Sequence, residues 1–344
     1  MNHVHGAIEQ PRRATVRTPR LGFVGLGWIG MNRMQAIDLS GAGEVGAILD
    51  PVEQAVERAR AAAPTAAAVR TFDELLQQDL DGIVIASPSA LHAEQARAAL
   101  ERGFAVFCQK PLGRSAAETR EVVAAARAAQ RLLAVDLSYR CTQGMSKVCD
   151  LIGGGELGDV YAADLVFHNA YGPDKAWFYE RALSGGGAVM DLGIHLVDLA
   201  LFSLGYPEVT AVRSRLYAQG RPLPPRSDAV EDYAVAELTL ASGAVVRIAC
   251  SWRLHAGCDC VIEASFYGAR GGASFRNVGG SFYDFNAELM TGTARRTLCV
   301  PPDAWGGRAA VRWAERLAHD RGFDESAERL VDVAAVIDRI YEQC

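Results

Sequence analysis

The chain has 344 residues, 50% of them hydrophobic and 22% charged, which indicates a folded protein with room for two domains of ordinary size. A formal net charge of -6 and a pI near 5.7 leave no electrostatic case for nucleic acid or an anionic membrane as partner. No apolar run approaches the ~18 residues of a membrane span, and the eight cysteines form no CxxC pair, so reduced thiols in a cytoplasm are expected.

Residues 1–19 read as a mobile, mildly basic tail. Arg12-Arg13 is not followed by the separate apolar stretch of an export signal. The apolar run Leu21–Val24 reads as a buried strand, and it leads directly into G-x-G-x-x-G at Gly25, Gly27 and Gly30, with a helix expected from Met31. Gly25 permits a tight turn, Gly27 leaves the backbone bare for a pyrophosphate, and Gly30 lets helix and strand pack closely. With Trp28 and Ile29 they form a helix N-terminus whose free N–H groups favour phosphate. Such a motif alone is often only a turn; the strand before it, the helix after it and Asp50 beyond make dinucleotide binding the stronger reading.

Glu44–Leu49 is a second strand ending at Asp50. Asp50 has two compatible roles: N-cap of a helix with Pro51 at its first position, and acceptor for an adenosine ribose diol. No basic residue nearer than Arg58 is placed to meet a 2′-phosphate, so NAD is favoured over NADP. Val69-Arg70 reads as a short third strand and Phe72–Leu76 as a short helix. Gly82–Ala86 is a continuous apolar strand of the kind a parallel sheet buries on both faces. It ends at Ser87-Pro88-Ser89, with Ser89 a possible cap of the helix through Arg102 and His92 in its first turn, structural or functional with equal weight. Phe104–Cys108 and Leu132–Leu137 are the fifth and sixth strands, separated by a helix with the capping box Ser115–Glu118. Regular alternation with short connections predicts a doubly wound parallel Rossmann sheet over residues 20–138.

From 139 to 344 the pattern changes. A helix over 143–152 precedes strand patterns at 160–167, 209–217, 233–240, 244–252 and 261–267, giving an α/β domain with a large, mostly antiparallel open sheet. The strands of 233–252 carry few charges, so the outer sheet face is expected to be apolar and covered by another subunit. An amphipathic helix over 327–341 closes the chain.

Two clusters carry candidate chemistry. Cys108-Gln109-Lys110-Pro111 stands at the carboxyl end of the fifth strand, where α/β sheets open a crevice; a lysine held there can polarise a hydroxyl or carbonyl beside a cofactor. The glycine run Gly185–Gly187 leads into Asp191 and His195, spaced i,i+4 on one helix face, with Asp198 continuing it. A buried histidine satisfied by an aspartate is the bland alternative. A metal held by Asp191, His195 and Asp198 lacks a second histidine, and no metal is expected.

These segments, with Ala86-Ser87-Pro88 and His92, Ser138-Tyr139-Arg140 and Gly155–Val160, resemble the glucose-fructose oxidoreductase, inositol dehydrogenase and rhizopine-catabolism (Gfo/Idh/MocA) family from residue 20 to the C-terminus. The resemblance implies a Rossmann domain followed by an α/β domain whose open sheet often forms the oligomer interface, and the apolar strands of 233–252 lead to the expectation of a homodimer or homotetramer built on that sheet. It implies oxidation of a secondary alcohol of a sugar, cyclitol or related polyol with NAD or NADP. The family's Glu-Lys-Pro motif places its catalytic lysine on Lys110, with a cis peptide before Pro111, and its aspartate and histidine on Asp191 and His195. Ser87, Pro88, His92, Gln109 and Lys110 join the glycine motif and Asp50 as cofactor contacts. Gln109 departs from the motif's usual glutamate, which tends to contact the nicotinamide ribose; an amide keeps an acceptor but loses the charge. In the expected mechanism His195 takes the hydroxyl proton, Lys110 hydrogen-bonds the reacting oxygen, and Asp191 orients the histidine or a substrate hydroxyl. His168, Tyr171 and Trp177 are weaker candidates for substrate contact. A redox-neutral sugar enzyme using NAD transiently, and a non-catalytic dinucleotide-binding regulator, are the alternatives.

Overall fold

Six strands, as many as the sequence leads one to expect, form the first half of a computed structural model of the chain, which describes residues 17–224 and 227–342. The expected mobile tail lies outside the described residues as far as residue 16. The order is β1 (Arg20–Val24), α1 (Trp28–Ser40), β2 (Glu44–Leu49), α2 (Glu53–Ala62), β3 (Ala67–Ala68), α3 (Phe72–Leu75), β4 (Gly82–Ile85), α4 (Ser89–Glu101), β5 (Ala105–Cys108), α5 (Ala116–Ala129) and β6 (Leu133–Val135). All neighbours run parallel in the order β3-β2-β1-β4-β5-β6. The order reverses between β1 and β4, so a crevice opens at their carboxyl ends, where the Gly25 loop, Ser87-Pro88 and Gln109-Lys110 converge.

Local signals shifted some boundaries. The first helix begins at Trp28, not Met31, so Gly30 packs inside its first turn. The third strand pairs through Ala67 and Ala68, not Val69-Arg70. Ser89 lies within its helix, and Pro88 takes the cap position without a side-chain bond. Ser115 does cap α5 by accepting from Glu118 N, but the Glu118 carboxylate turns to the Arg114 amide and guanidinium instead of closing the box.

The second half contains α6 (Gln143–Gly153), β7 (Val160–Asn169), α7 (Arg181–Ser184), α8 (Ile194–Ser203), β8 (Val209–Ala218), β9 (Arg221–Pro222), β10 (Tyr233–Leu240), β11 (Val245–Ser251), β12 (Cys260–Gly268), β13 (Gly272–Asn277), β14 (Phe285–Thr291), β15 (Ala294–Cys299), α9 (Arg308–His319) and α10 (Arg329–Glu342). Nine strands form one sheet in the order β15-β14-β13-β12-β7-β11-β10-β8-β9, antiparallel except for β7 with β11. Leu165, Phe167, Leu238, Val246, Ile248, Ile262 and Phe266 bury its inner face against α6, α8 and α10. The helical stretch Arg181–Ser203, with mean hydropathy 1.4, is long and apolar enough to cross a membrane by length and composition, contrary to the expectation of no such run. Most of it is buried inside the protein as the core helix under this sheet.

Two expectations need correction. A second domain uninterrupted to residue 344 is not what forms: α9 returns to the first sheet, where Ala309, Ala310, Trp313, Ala314 and Leu317 share a core with Leu21, Phe23 and Phe107. The Phe107 and Trp313 rings lie 5.7 Å apart. The outer face of the second sheet is also not simply apolar. One cross-strand row reads Arg213, Glu237, Arg247, Asp164, with Arg247 bonded to Asp164 at 2.6 and 2.7 Å.

Candidate active site

The glycine loop is built to hold something close to bare backbone. Gly25 has φ +83, and a side chain there would overlap the Ala86 carbonyl at the end of β4. A Cβ on Gly30 would overlap the Gly25 carbonyl, whereas one on Gly27 would stand in open space. The first-turn N–H groups of α1 have no partner within the helix, and Met31 N makes the first helical bond, to Gly27 O. A pyrophosphate fits this cradle. Asp50 pins it: Oδ2 accepts from Leu26 N at 2.6 Å and Oδ1 from Val52 N at 2.8 Å. Asp50 is therefore not the N-cap of α2, which starts two residues later than expected with Val52 at the cap. Trp28 is exposed at the start of α1.

Other expected cofactor contacts sort differently. The Ser87 hydroxyl donates to Gln95 Oε1 at 2.6 Å. His92 is 1% exposed, with Nδ1 2.7 Å from Pro111 O and Nε2 2.6 Å from Ser87 O. It ties the end of β4 to the lysine loop and presents neither nitrogen to the crevice; burial lowers its pKa against the pull of the two carbonyls. The Lys110–Pro111 peptide is cis, as the resemblance implied.

Lys110 and Asp191, 81 residues apart, meet at the crevice. Lys110 Nζ donates to Asp191 Oδ1 at 2.6 Å and to Asp191 O at 2.8 Å. Trp252 Nε1 holds the other carboxylate oxygen at 3.0 Å. Both oxygens of Asp191 are thus committed to the lysine and the tryptophan, and the aspartate does not orient His195. An ammonium has three N–H donors, so two fixed bonds leave Lys110 one free donor of defined direction.

His195 lies one helical segment further on. Val189–Gly193 is a π-turn before α8, so the simple i,i+4 stacking of Asp191 on His195 does not hold. The ring is 7% exposed and meets Tyr139 edge-on, with centroids 5.0 Å apart. Among the described residues Nδ1 is buried with no hydrogen-bond partner, and Nε2 is not bonded. Burial, then the positive charges of Lys110 and Arg33, hold its pKa well below the ordinary histidine value. The imidazole is neutral near pH 7, with a lone pair available. Asp198 is spoken for elsewhere: Arg140 grips it with Nε at 2.6 Å and with a second guanidinium N–H.

Sequence reasoning missed Glu231, which sets the position of this helix. It is 1% exposed, and its carboxylate accepts from Gly187 N at 3.0 Å, Val189 N at 2.9 Å and Tyr341 Oη at 2.9 Å. Burial raises its pKa against these bonds. The glycine run follows from it: a Cβ on Gly187 would overlap the Glu231 carbonyl, and one on Gly186 the Tyr341 hydroxyl. An acid in the loop before β10 gave no sequence signal, because its partners lie 42 to 110 residues away.

Among the weaker substrate candidates, His168 is on the outer sheet face with Asp164, bonded to Ser251 Oγ at 2.8 Å and stacked near Tyr233. It is on the face opposite Phe167 and His195, and so outside the site. Trp177 stacks on Phe178 at 3.8 Å, and Phe178 and Tyr179 pack on Trp252, so this segment borders Asp191. Tyr171 is exposed beside it and donates to Asp259.

A Rossmann crevice closed by an antiparallel sheet, with a tethered lysine and a buried neutral histidine where they meet, defines a two-domain dinucleotide-binding protein. Residues 19–137 match the family described as "Oxidoreductase family, NAD-binding Rossmann fold", and residues 145–274 match the "GFO/IDH/MocA C-terminal domain". A putative UDP-kanosamine synthase oxidoreductase subunit from Amycolatopsis mediterranei (strain S699) is 34% identical over 70% of each chain. The chain belongs to the Gfo/Idh/MocA family. D-glucoside 3-dehydrogenase of Escherichia coli (strain K12) is 28% identical over 63% of this chain, a match that takes in 64% of that enzyme's own length and so falls short of two thirds. The solved structure of levoglucosan dehydrogenase in complex with NADH has the same fold, with a TM-score of 0.82 at 22% identity over 95% of this chain and 97% of that one.

Proposed function

We propose that this chain is an NAD-dependent oxidoreductase that moves a hydride between a secondary alcohol of a sugar, cyclitol or related polyol and the nicotinamide. The observation that carries the reading is the single free donor of Lys110, held beside a neutral His195 at the mouth of the dinucleotide crevice. The cofactor, when bound, supplies or accepts the hydride. Lys110 donates to the substrate oxygen and stabilises charge developing there. His195 Nε2 takes the hydroxyl proton, or returns it in the reverse direction. Asp191 and Trp252 keep the ammonium from swinging into solvent. The cytoplasmic setting expected from the cysteines belongs to the same proposal. A panel of sugars and cyclitols with NAD, followed by NADH absorbance, tests it. Turnover of substrate with no net NADH redirects the reading to a redox-neutral enzyme; binding without any turnover redirects it to a regulator.

Asp50 supports NAD over NADP, because a carboxylate at the end of β2 repels a 2′-phosphate. That repulsion is on the order of 1 kcal/mol or more at intermediate dielectric, so NADPH is expected to bind about tenfold more weakly than NADH. Fluorescence titration with both decides it, and equal or tighter binding of NADPH overturns the preference.

The charge row Arg213, Glu237, Arg247, Asp164 supports a homodimer through the outer sheet face. A two-fold axis lying between two facing sheets, along the gap between β10 and β11, sets Arg213 against the partner's Asp164 and Glu237 against the partner's Arg247. An alternating row of four charges is complementary to itself only in this way. Sedimentation of the unaltered protein at micromolar concentration is expected to show a dimer or tetramer, and Arg247→Glu is expected to weaken it. A monomer for the unaltered protein refutes the assignment.

A further inference from the structure

Asp136, 1% exposed at the end of β6, joins the glycine-loop helix to the lysine loop. Its Oδ2 accepts from Arg33 Nε at 2.5 Å and from Gln109 Nε2 at 2.5 Å. Arg33 is on α1, three residues past Gly30, and Gln109 immediately precedes Lys110. Its Oδ1 is buried without a partner among the described residues.

A carboxylate beside a guanidinium can only accept, so the Gln109 amide has one permitted orientation: Nε2 toward Asp136 and Oε1 away from it. Oε1 makes no hydrogen bond among the described residues and is not sealed from solvent, although the residue as a whole is 8% exposed. A nearly buried amide oxygen at the carboxyl end of β5 is an acceptor awaiting a donor. We propose that Asp136 is a positioning residue that locks the Gln109 amide so that its carbonyl accepts a hydrogen bond from a hydroxyl group of the bound dinucleotide. The inference rests on the dinucleotide reading of the crevice. It also explains why an amide and not a carboxylate belongs at position 109: a glutamate there would set two acceptors face to face at the buried Asp136.

The facing acceptor can be added and removed to test this. Gln109→Glu should weaken NADH binding about 10- to 100-fold, the scale of leaving a buried acceptor pair without a proton between them. Asp136→Leu removes the acceptor that fixes the Gln109 amide and should weaken binding by less. The double variant Gln109→Glu with Asp136→Leu removes the clash of two acceptors and leaves one carboxylate for the Arg33 guanidinium, and its NADH affinity should recover to within a few-fold of the unaltered protein. The readouts are NADH dissociation constants by fluorescence titration and melting temperatures without dinucleotide. The proposal is overturned if the double variant is as weak as the product of the two single losses. It is equally overturned if Asp136→Leu lowers the melting temperature while leaving NADH affinity unchanged, as a merely structural role requires. Failure of the unaltered protein to bind NADH would instead overturn the dinucleotide reading, and so is distinguishable.

Discussion

His195→Ala is expected to lower kcat for alcohol oxidation by about 10²–10⁴, the scale for losing a general base, while NADH affinity survives. The imidazole is held neutral by burial first and then by the charges of Lys110 and Arg33. Its folded pKa lies below the ~6.5 of a free histidine, so the base form persists as pH falls through that value. The acid limb of the kcat/KM profile is therefore expected below pH ~6.5, and His195→Ala should remove it. The same depression affects stability. Between the unfolded and folded pKa the unfolded chain binds a proton that the native ring refuses, so stability falls as pH drops below ~6.5 and is fully present above it. Packing alone makes a different forecast, because the ring also fills space against Tyr139 and Phe167. A His195→Ala protein with a lowered melting temperature but unchanged kcat per folded molecule would remove this residue from the chemistry.

Legibility in the sequence followed the range of the interactions. The parallel strands were readable because both faces are buried, and Ile83, Val84, Ile85 and Val106, Phe107, Cys108 form unbroken apolar runs. The glycine loop was readable because its constraints are local: Gly25 and Gly30 press on each other and on Ala86. The sequence does not mark strands β13 to β15, because segments such as Ala294–Cys299 bury no residue and carry Arg295-Arg296 without a clean alternation. Helix α9 has a distinct apolar stripe, but nothing local says that Trp313 packs on Phe107 two hundred residues earlier. The site shows the same division. The sequence marks Lys110, Asp191 and His195 individually but not their wiring: it points Asp191 to the histidine or to a substrate hydroxyl, and Asp191 is bonded to Lys110 and Trp252. Side-chain partners 61 and 81 residues apart leave no periodic trace, and the π-turn at Val189–Gly193 breaks the spacing rule that linked Asp191 to His195.

That wiring shapes what removing the lysine should do. Lys110→Met is expected to reduce kcat by about 10²–10³, the scale for losing one preorganised donor to a developing oxyanion. The ammonium is partly exposed and gripped by Asp191 Oδ1 and O, so its removal frees one carboxylate oxygen while Trp252 still holds the other. The carboxylate remains partly solvated, and the fold should tolerate the change. The second consequence reaches His195. Lys110 is the largest charge depressing that imidazole after burial itself, so without it the folded pKa rises toward the ordinary value and the acid limb of kcat/KM moves to higher pH. Asp191→Asn should leave the lysine present but less firmly aimed, with a smaller loss in kcat. The double variant Lys110→Met with His195→Ala should fall well short of the product of the single losses, because donor and base act on one oxygen and its proton as a unit. Multiplicative losses, or an acid limb unmoved in Lys110→Met, would mean that the two residues do not share a reaction centre.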